Sequence, residues 1–240
     1  MLLCFAAFIA SSSHAADVLR FSRSFTNVYT VKGEAGVILV DTHNPGSEKW
    51  IARQLHRHGL AIEDISLVVL THGHTDHSGS AAALQAAGIP VAIGAGDAHM
   101  AEAGHQDPLA PTDWRGAIIE RTVSHDYTPF TPDIRVSEPL DLSAYGVAAV
   151  IEPIGGHTPG SLVVRLDDGR VISGDLIRGK MLRQKRPALH FFQTDITQAH
   201  ENVSLLLDEG TPELLVAHGK SLPARRLRRW LSQHSEPTDL

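Results

Sequence analysis

The sequence predicts an α/β fold built on mixed, not purely parallel, sheets. Three observations lead there. Short runs of Val, Leu and Ile alternate with segments of helical apolar period. Some neighbouring runs are joined by turns too short for a crossover, so antiparallel hairpins occur as well. One run, Ser66-Leu67-Val68-Val69-Leu70, is apolar at successive positions, the pattern of a buried strand.

The elements follow in chain order. Val28 to Val31 and Gly36 to Val40 read as strands around a turn at Lys32-Gly33-Glu34-Ala35. Ser47 to His58 reads as a helix, with Trp50, Ile51 and Leu55 on one face and Gly59 as its stop. The Leu67 to Leu70 strand comes next, then a histidine-rich turn and a helix from about Gly79 to Ala87. Val91 to Ile93 is a short strand, and Ala98 to Gly104 has helical character. Gln106 to Pro132 is rich in Pro, Asp and Thr and gives no clear periodicity. Leu162 to Leu166 and Arg170 to Ser173 form a hairpin through Asp167-Asp168-Gly169. Ile196 to Leu207 is a helix, Leu214 to Ala217 a strand, and Pro223 to Leu231 a last helix.

Composition sets the class. The 240 residues are 42% hydrophobic and 20% charged, an ordinary globular balance. A formal net charge of −6 does not suggest a nucleic-acid partner. The excess is in histidine, with 15 copies. Leu2 to Ala10 is a short apolar run followed by Ser11-Ser12-Ser13-His14-Ala15-Ala16, which reads as a signal peptide cleaved after Ala15. No Lys or Arg precedes the run, so its basic end is missing. The expectation is residues 1–15 as leader and 16–240 as a single exported domain, periplasmic or secreted. The run is too short to span a bilayer, so no stable membrane insertion is expected of the mature chain. Cys4 is the only cysteine and lies in the leader, which leaves the mature chain without disulfide or thiol nucleophile.

Chemistry concentrates in Thr71-His72-Gly73-His74-Thr75-Asp76-His77, directly after the apolar strand. Imidazole and carboxylate are the usual nitrogen and oxygen ligands of zinc and its neighbours. A rigid strand end holds such groups in place before a metal arrives. Three more candidates sit at strand edges: His157 in Gly155-Gly156-His157-Thr158-Pro159-Gly160-Ser161, Asp175 in Ser173-Gly174-Asp175-Leu176, and His218 in Ala217-His218-Gly219. If those edges lie together, the candidates converge on one cleft.

The H-x-H-x-D-H turn, the later His157, the Gly174-Asp175 step and His218-Gly219 resemble the metallo-β-lactamase-fold hydrolase superfamily, with Val40-Asp41-Thr42 as the first motif. The resemblance spans nearly the whole chain after the leader. It implies an αββα sandwich, two mixed sheets back to back with helices outside. It implies a dinuclear centre at one edge: His72, His74 and His157 on the first metal, Asp76, His77 and His218 on the second, Asp175 bridging. Asp41 would orient a ligand without binding metal. Two Zn2+ ions are the implied cofactor, with iron or manganese as alternatives.

The implied activity is hydrolysis of an ester, thioester, lactone or amide in a small-molecule substrate, by a hydroxide shared between the metals. Asp76 would guide that water and take its proton. The absence of a G-x-S-x-G elbow fits such a route. Asp175 resembles the bridging residue of hydroxyacyl-glutathione hydrolases and lactonases, which true metallo-β-lactamases generally lack. Gly156 to Ser161 looks like the lactamase subclass that uses the same histidine turn, so β-lactam hydrolysis is the alternative activity. A metal-binding module without turnover is the alternative from another class. His74 stands where the flavodiiron branch carries Glu. Oligomeric state is left open.

Lys180, Arg183, Lys185 and Arg186 follow Asp175, and Lys180 and Arg183 are candidates for recognising a substrate carboxylate or phosphate. His190 is a further substrate-binding candidate at the cleft mouth, beside Phe191 and Phe192. Tyr127 and Tyr145 are candidate donors to a developing oxyanion. Arg225, Arg226, Arg228 and Arg229 read as a solvated helix face, with Leu227, Trp230 and Leu231 packing inward; binding to a membrane surface or an anionic partner is the minor alternative.

Overall fold

A computed structural model of the chain describes residues 16–234. The expected leader and Cys4 lie outside the described residues. The first sheet contains β1 (Asp17–Arg23), β2 (Thr26–Lys32), β3 (Val37–Val40), β4 (Ile65–Leu70), β5 (Val91–Gly94) and β6 (Ile134–Val136), side by side in chain order. The first two pairings are antiparallel and the next three parallel. Between these strands run α1 (Glu48–Arg57), α2 (Thr75–Ser78), α3 (Ala81–Ala86), α4 (Ala98–Ala103) and α5 (Trp114–Glu120). The second half supplies β7 (Leu140–Asp141), β8 (Ala149–Pro153), β9 (Leu162–Leu166) and β10 (Val171–Gly174), then a small hairpin of β11 (Arg178–Gly179) and β12 (Pro187–Ala188). It closes with α6 (Ile196–Asp208), β13 (Glu213–Val216), β14 (Leu222–Pro223) and α7 (Ala224–Leu231). The second sheet has the order β14-β13-β10-β9-β8-β7.

Alternation along the strands creates four layers. Ile38, Val40, Leu67 and Val69 face inward and meet Ile151, Leu162, Val164, Leu166, Ile172 and Leu215 of the second sheet. Their neighbours Leu39, Val68 and Leu70 face outward onto Ile51 and Leu55 of α1 and Leu84 of α3. On the other side, Val163, Leu214 and Val216 pack on Val203 and Leu206 of α6 and Leu227 of α7. A strand covered on both faces must be apolar at successive positions, which is why β4 reads as an unbroken run. The αββα sandwich implied by the resemblance is present.

Some elements differ from expectation. The helix expected from about Gly79 begins at Ala81, and a separate short α2 precedes it. Ser80 is held out of the helix by the preceding loop: its hydroxyl donates to the Asn44 carbonyl and accepts from the Ser47 N–H. β1 and β6–β8 carry weak signals because they are short or lie at sheet edges with exposed positions. The illegible stretch from Gln106 to Pro132 holds α5, whose N-terminus is capped by Asp113 accepting from the N–H groups of Arg115 and Gly116.

Topology brings the candidate residues to one edge. β3 and β4 are parallel, so Asp41 and the His72 turn leave from the same end. β10 and β13 are also parallel, which places Asp175 and His218 together. β9 runs antiparallel to β10, so the loop entering β9, with His157, lies beside the loop leaving β10. The two sheets are joined at this edge. Leu162 N–H donates to the Thr71 carbonyl at 2.7 Å, and Asn27 N–H donates to the Ala217 carbonyl at 2.7 Å.

Backbone approach is closest where β5 meets the His157 loop. A Cβ on Gly94 would lie 1.9 Å from the Gly160 carbonyl oxygen. Gly94→Ala should therefore cost about 3 kcal/mol through backbone displacement. Gly88 has φ +94° but open space around it, so Gly88→Ala should cost only about 1 kcal/mol of backbone strain. Urea unfolding of both variants tests the difference; equal midpoints would mean that the sheets do not lock at this point.

Candidate metal centre

The described chain gathers His72, His74, His77, His157, His190, His218, Asp76 and Asp175 at the shared edge. Asp175 is buried, and its Oδ2 lies at the centre. The Nε2 atoms of five histidines approach it: His190 and His218 at 3.2 Å, His77 at 3.4 Å, His157 at 3.6 Å and His72 at 3.8 Å. On one side, His157 Nε2 sits 3.2 Å from His72 Nε2 and 3.0 Å from His74 Nδ1. On the other, Asp76 Oδ2 lies 3.5 Å from His77 Nε2 and 3.4 Å from His218 Nε2. Four ligand-like triads result: His72/His74/His157, His72/His77/Asp175, Asp76/His77/His218 and His157/Asp175/His190.

The far ring nitrogens explain the orientation. His157 Nδ1–H donates to the Phe192 carbonyl at 2.8 Å, and His218 Nδ1–H donates to the Phe25 carbonyl at 3.0 Å. His77 Nδ1–H donates to Asp41 Oδ2 at 2.9 Å. A carbonyl or carboxylate accepts only, so each of these rings carries its proton on Nδ1 and can turn an Nε2 lone pair inward. Asp41 is fully buried at φ +65° and also accepts from the Thr71 N–H and hydroxyl. It ties the first motif to the His77 ring.

Electrostatics divides the rings into two groups. Burial, with the neighbouring rings, holds His72 well below the ordinary histidine value. Burial also lowers His74 to about 4 and both His157 and His190 to about 3. These rings stay neutral at pH 7, the form that ligates metal. Burial opposes charge on His77 and His218 too, but carboxylates win there. Asp76, Asp175 and Asp41 raise His77 well above its ordinary value, and Asp175 and Asp76 raise His218 to about 10. Against the effect of burial, Asp76 is held well below the carboxylate range by His77 and His218, and Asp175 by His190, His218 and His77. The two carboxylates thus attract positive charge.

The donor set fits metal ions. His77 Nε2 and Asp175 Oδ1 are buried without a hydrogen-bond partner among the described residues. Buried polar atoms left unpaired are costly, and a cation between them satisfies both. His157 Nε2, within hydrogen-bond distance of ring nitrogens of both His72 and His74 with few protons to share, poses the same requirement.

A cleft of about 450 Å³ opens on the centre, with His74, Asp76, Asp175, His190 and His218 in its lining. Its walls are largely apolar, from Phe25, Leu109, Ile119, Val123, Met181, Phe191 and Phe192.

Other expectations are placed differently. Lys180 and Arg183 do not line this cleft; each lines a separate hollow on the basic surface. They point away because the β11–β12 hairpin turns the loop outward. Arg178 lines the cleft instead, stacked on the Phe191 ring at 3.7 Å, and its buried Nε has no hydrogen-bond partner among the described residues. His190, expected at the mouth, is buried against Asp175. Tyr127 donates to the Gly73 carbonyl and does not line the cleft. Tyr145 packs against the inter-sheet core.

Asp97 was not anticipated. It is fully buried, accepts from Gly73 N–H and from the Thr158 hydroxyl through Oδ2, and accepts from Gly160 N–H through Oδ1. One carboxylate thus ties the His72–His74 turn to the His157 loop. Its only sequence signal is its place after Gly94-Ala95-Gly96, where the glycines admit close approach of Gly160 and Pro159.

Known proteins share this arrangement of strands and loops. The family model described as "Metallo-beta-lactamase superfamily" matches residues 22–219. The probable metallo-hydrolase YybB of Bacillus subtilis (strain 168) is 28% identical over 200 residues, covering 82% of this chain and 81% of the relative. In fold, the chain is similar to a metallo-beta-lactamase family protein of Thermus thermophilus, with TM-score 0.65 and 18% identity over 92% of this chain and 79% of that one. It is also similar to BJP-1, a subclass B3 metallo-beta-lactamase of Bradyrhizobium japonicum, with TM-score 0.62 and 19% identity over 94% and 80% of the two chains. The chain belongs to the metallo-beta-lactamase superfamily.

Proposed function

We propose that this protein is an exported dinuclear metal-dependent hydrolase that cleaves an ester, thioester, lactone or amide bond in a small molecule. The observation that carries the reading is the position of Asp175, whose Oδ2 lies 3.8 and 3.6 Å from Nε2 of His72 and His157 and 3.4 and 3.2 Å from Nε2 of His77 and His218. His72, His74 and His157 would hold one ion, Asp76, His77 and His218 the other, and Asp175 both. Zinc suits this nitrogen-rich set, with iron or manganese as alternatives. Bound divalent ions supply an acidified water at neutral pH and a Lewis acid for the substrate oxygen.

The chain's own residues do the rest. Asp76 has a third of its side chain exposed, while Asp175 is buried. Asp76 is therefore the carboxylate able to meet an attacking water and accept its proton on the way to the leaving group. Asp41 and the Phe192 and Phe25 carbonyls keep the rings in register throughout. The apolar walls bind the non-reacting part of the substrate and exclude bulk water.

A hydrolysis panel of esters, thioesters, lactones and β-lactams on the metal-loaded chain tests the reading. Turnover confined to β-lactams would replace it with lactamase activity. Two bound metals without any turnover would make the chain a metal-binding module. His74→Ala should abolish turnover and lower the bound metal, as read by elemental analysis. Asp41→Asn should weaken metal affinity or activity about 10- to 100-fold while the fold persists, because Asn keeps an acceptor for the Thr71 N–H but puts an NH2 where the His77 ring needs an acceptor.

The pH dependence has a definite sign. His218 holds a proton up to about pH 10 in the metal-free chain, and His77 is raised in the same direction. A metal must displace those protons, so affinity should rise as pH rises from about 6 toward about 9 and fall on acidification. Calorimetric titration in buffers of different ionisation enthalpy should register proton release on metal uptake at pH 7; zero release would contradict the assignment of His218 to the second ion.

A further inference from the structure

The loop joining β11 to β12 reads Lys180-Met181-Leu182-Arg183-Gln184-Lys185-Arg186. Leu182 is 100% exposed and Met181 58% exposed. An aliphatic side chain fully in water gains nothing from the fold that holds it there. The four cations around it are also exposed.

Beside this loop, α7 presents Arg225, Arg226 and Arg229. A hollow of about 470 Å³ is lined by Lys180, Arg186, Arg225, Arg226 and Arg229 above Trp230. A second, of about 330 Å³, is lined by Leu182, Arg183, Lys185, Arg186, Lys220 and Arg226. Arg186 and Arg226 belong to both, so the two hollows form one continuous face. No carboxylate lines either. The arginine ion pairs among the described residues involve Arg115, Arg135, Arg165, Arg170 and Arg228, none of them in this set. Arg225 and Arg229 are four apart on one helix, a repulsive spacing for like charges. Such a face on a chain of net charge −6 is a local concentration of positive charge that an external anion would relieve.

Leu182 decides which anion. A free phosphate or a nucleic acid would neutralise the cations but leave Leu182 in water. A bilayer with anionic headgroups satisfies both, since cations meet phosphates while an aliphatic tip enters the acyl boundary. Met181 adds a second link, because it also lines the cleft over the metal centre. We propose that this face docks on an anionic lipid bilayer, with Leu182 inserted and the cleft mouth brought to the lipid surface. The docking is peripheral: among the described residues no helix is long and apolar enough to cross a membrane.

The test is sedimentation of the full chain with vesicles, which requires neither substrate nor activity. Phosphatidylcholine vesicles are compared with vesicles containing equal parts phosphatidylglycerol. Binding is expected only to the anionic vesicles, strong at about 50 mM salt and lost at about 500 mM as the charges are screened. Paired Arg225→Ala and Arg229→Ala substitutions should weaken it about 30-fold, at roughly fivefold per charge. Leu182→Ser, which keeps every charge, should weaken it about tenfold. All variants retain residues 2–10, so any contribution of that apolar run cancels in the comparison. Unchanged unfolding midpoints and metal content exclude misfolding as the cause. Absence of binding to anionic vesicles, or equal binding by the Leu182→Ser chain, would overturn the proposal. So would tight binding of duplex DNA that ignores Leu182→Ser, which would assign the face to nucleic acid.

Discussion

A buried carboxylate surrounded by imidazoles is the constraint around which this fold closes. An isolated ionised Asp175 inside protein would be strongly disfavoured, and burial alone would protonate it. Five ring nitrogens from four separate loops approach one of its oxygens, and His190, His218 and His77 favour its ionised form against burial. Each approach requires a loop to stand in a particular place. The loops are fixed by strands of two different sheets, so the centre forms only when both sheets have paired and stacked. Folding of the core and assembly of the donor set are therefore one process.

The supporting contacts divide by function. Asp41 and Asp97 are buried carboxylates too, but each accepts from backbone and hydroxyl donors, Asp41 also from the His77 ring, and directs loops, not substrate. Asp175 and Asp76 are left short of such donors and face the rings. The distinction between a carboxylate that positions and one that is free to ligate thus lies in how many N–H groups reach it. Residue identity alone does not reveal it.

This explains what was legible in the sequence. The His72–His77 turn is readable because its donors are adjacent in the chain and follow an unmistakable strand. His157, Asp175 and His218 are readable because each stands at a strand edge in a glycine-containing step. Parallel and antiparallel pairing then brings those edges together, as the interleaved apolar runs suggest. Asp97 and His190 are not readable in the same way. Their roles depend on tertiary approach: Asp97 on the passage of Gly160, and His190 on a loop between β12 and α6 with no periodicity. The displacement of Lys180 and Arg183 from the cleft has the same origin. A two-residue β11 pairing with β12 reverses the chain and replaces them with Arg178. Edge strands β1, β6 and β7 are weak in sequence because they are short or carry exposed positions without apolar signal.

His190 has a consequence for how such a protein can change over generations. Most of the cleft wall comes from segments that contribute nothing to the donor set, so residues such as Leu109, Ile119 and Val123 are free to drift and retune what is accepted. The stretch leading into α6 is different. It carries the wall residues Phe191 and Phe192 together with a ring against Asp175, and the Phe192 carbonyl orients His157. Any remodelling of that wall is also a perturbation of the centre. New specificities should therefore arise first on the 109–123 side, and the 190–192 side should change only in company with compensating substitutions around the carboxylate.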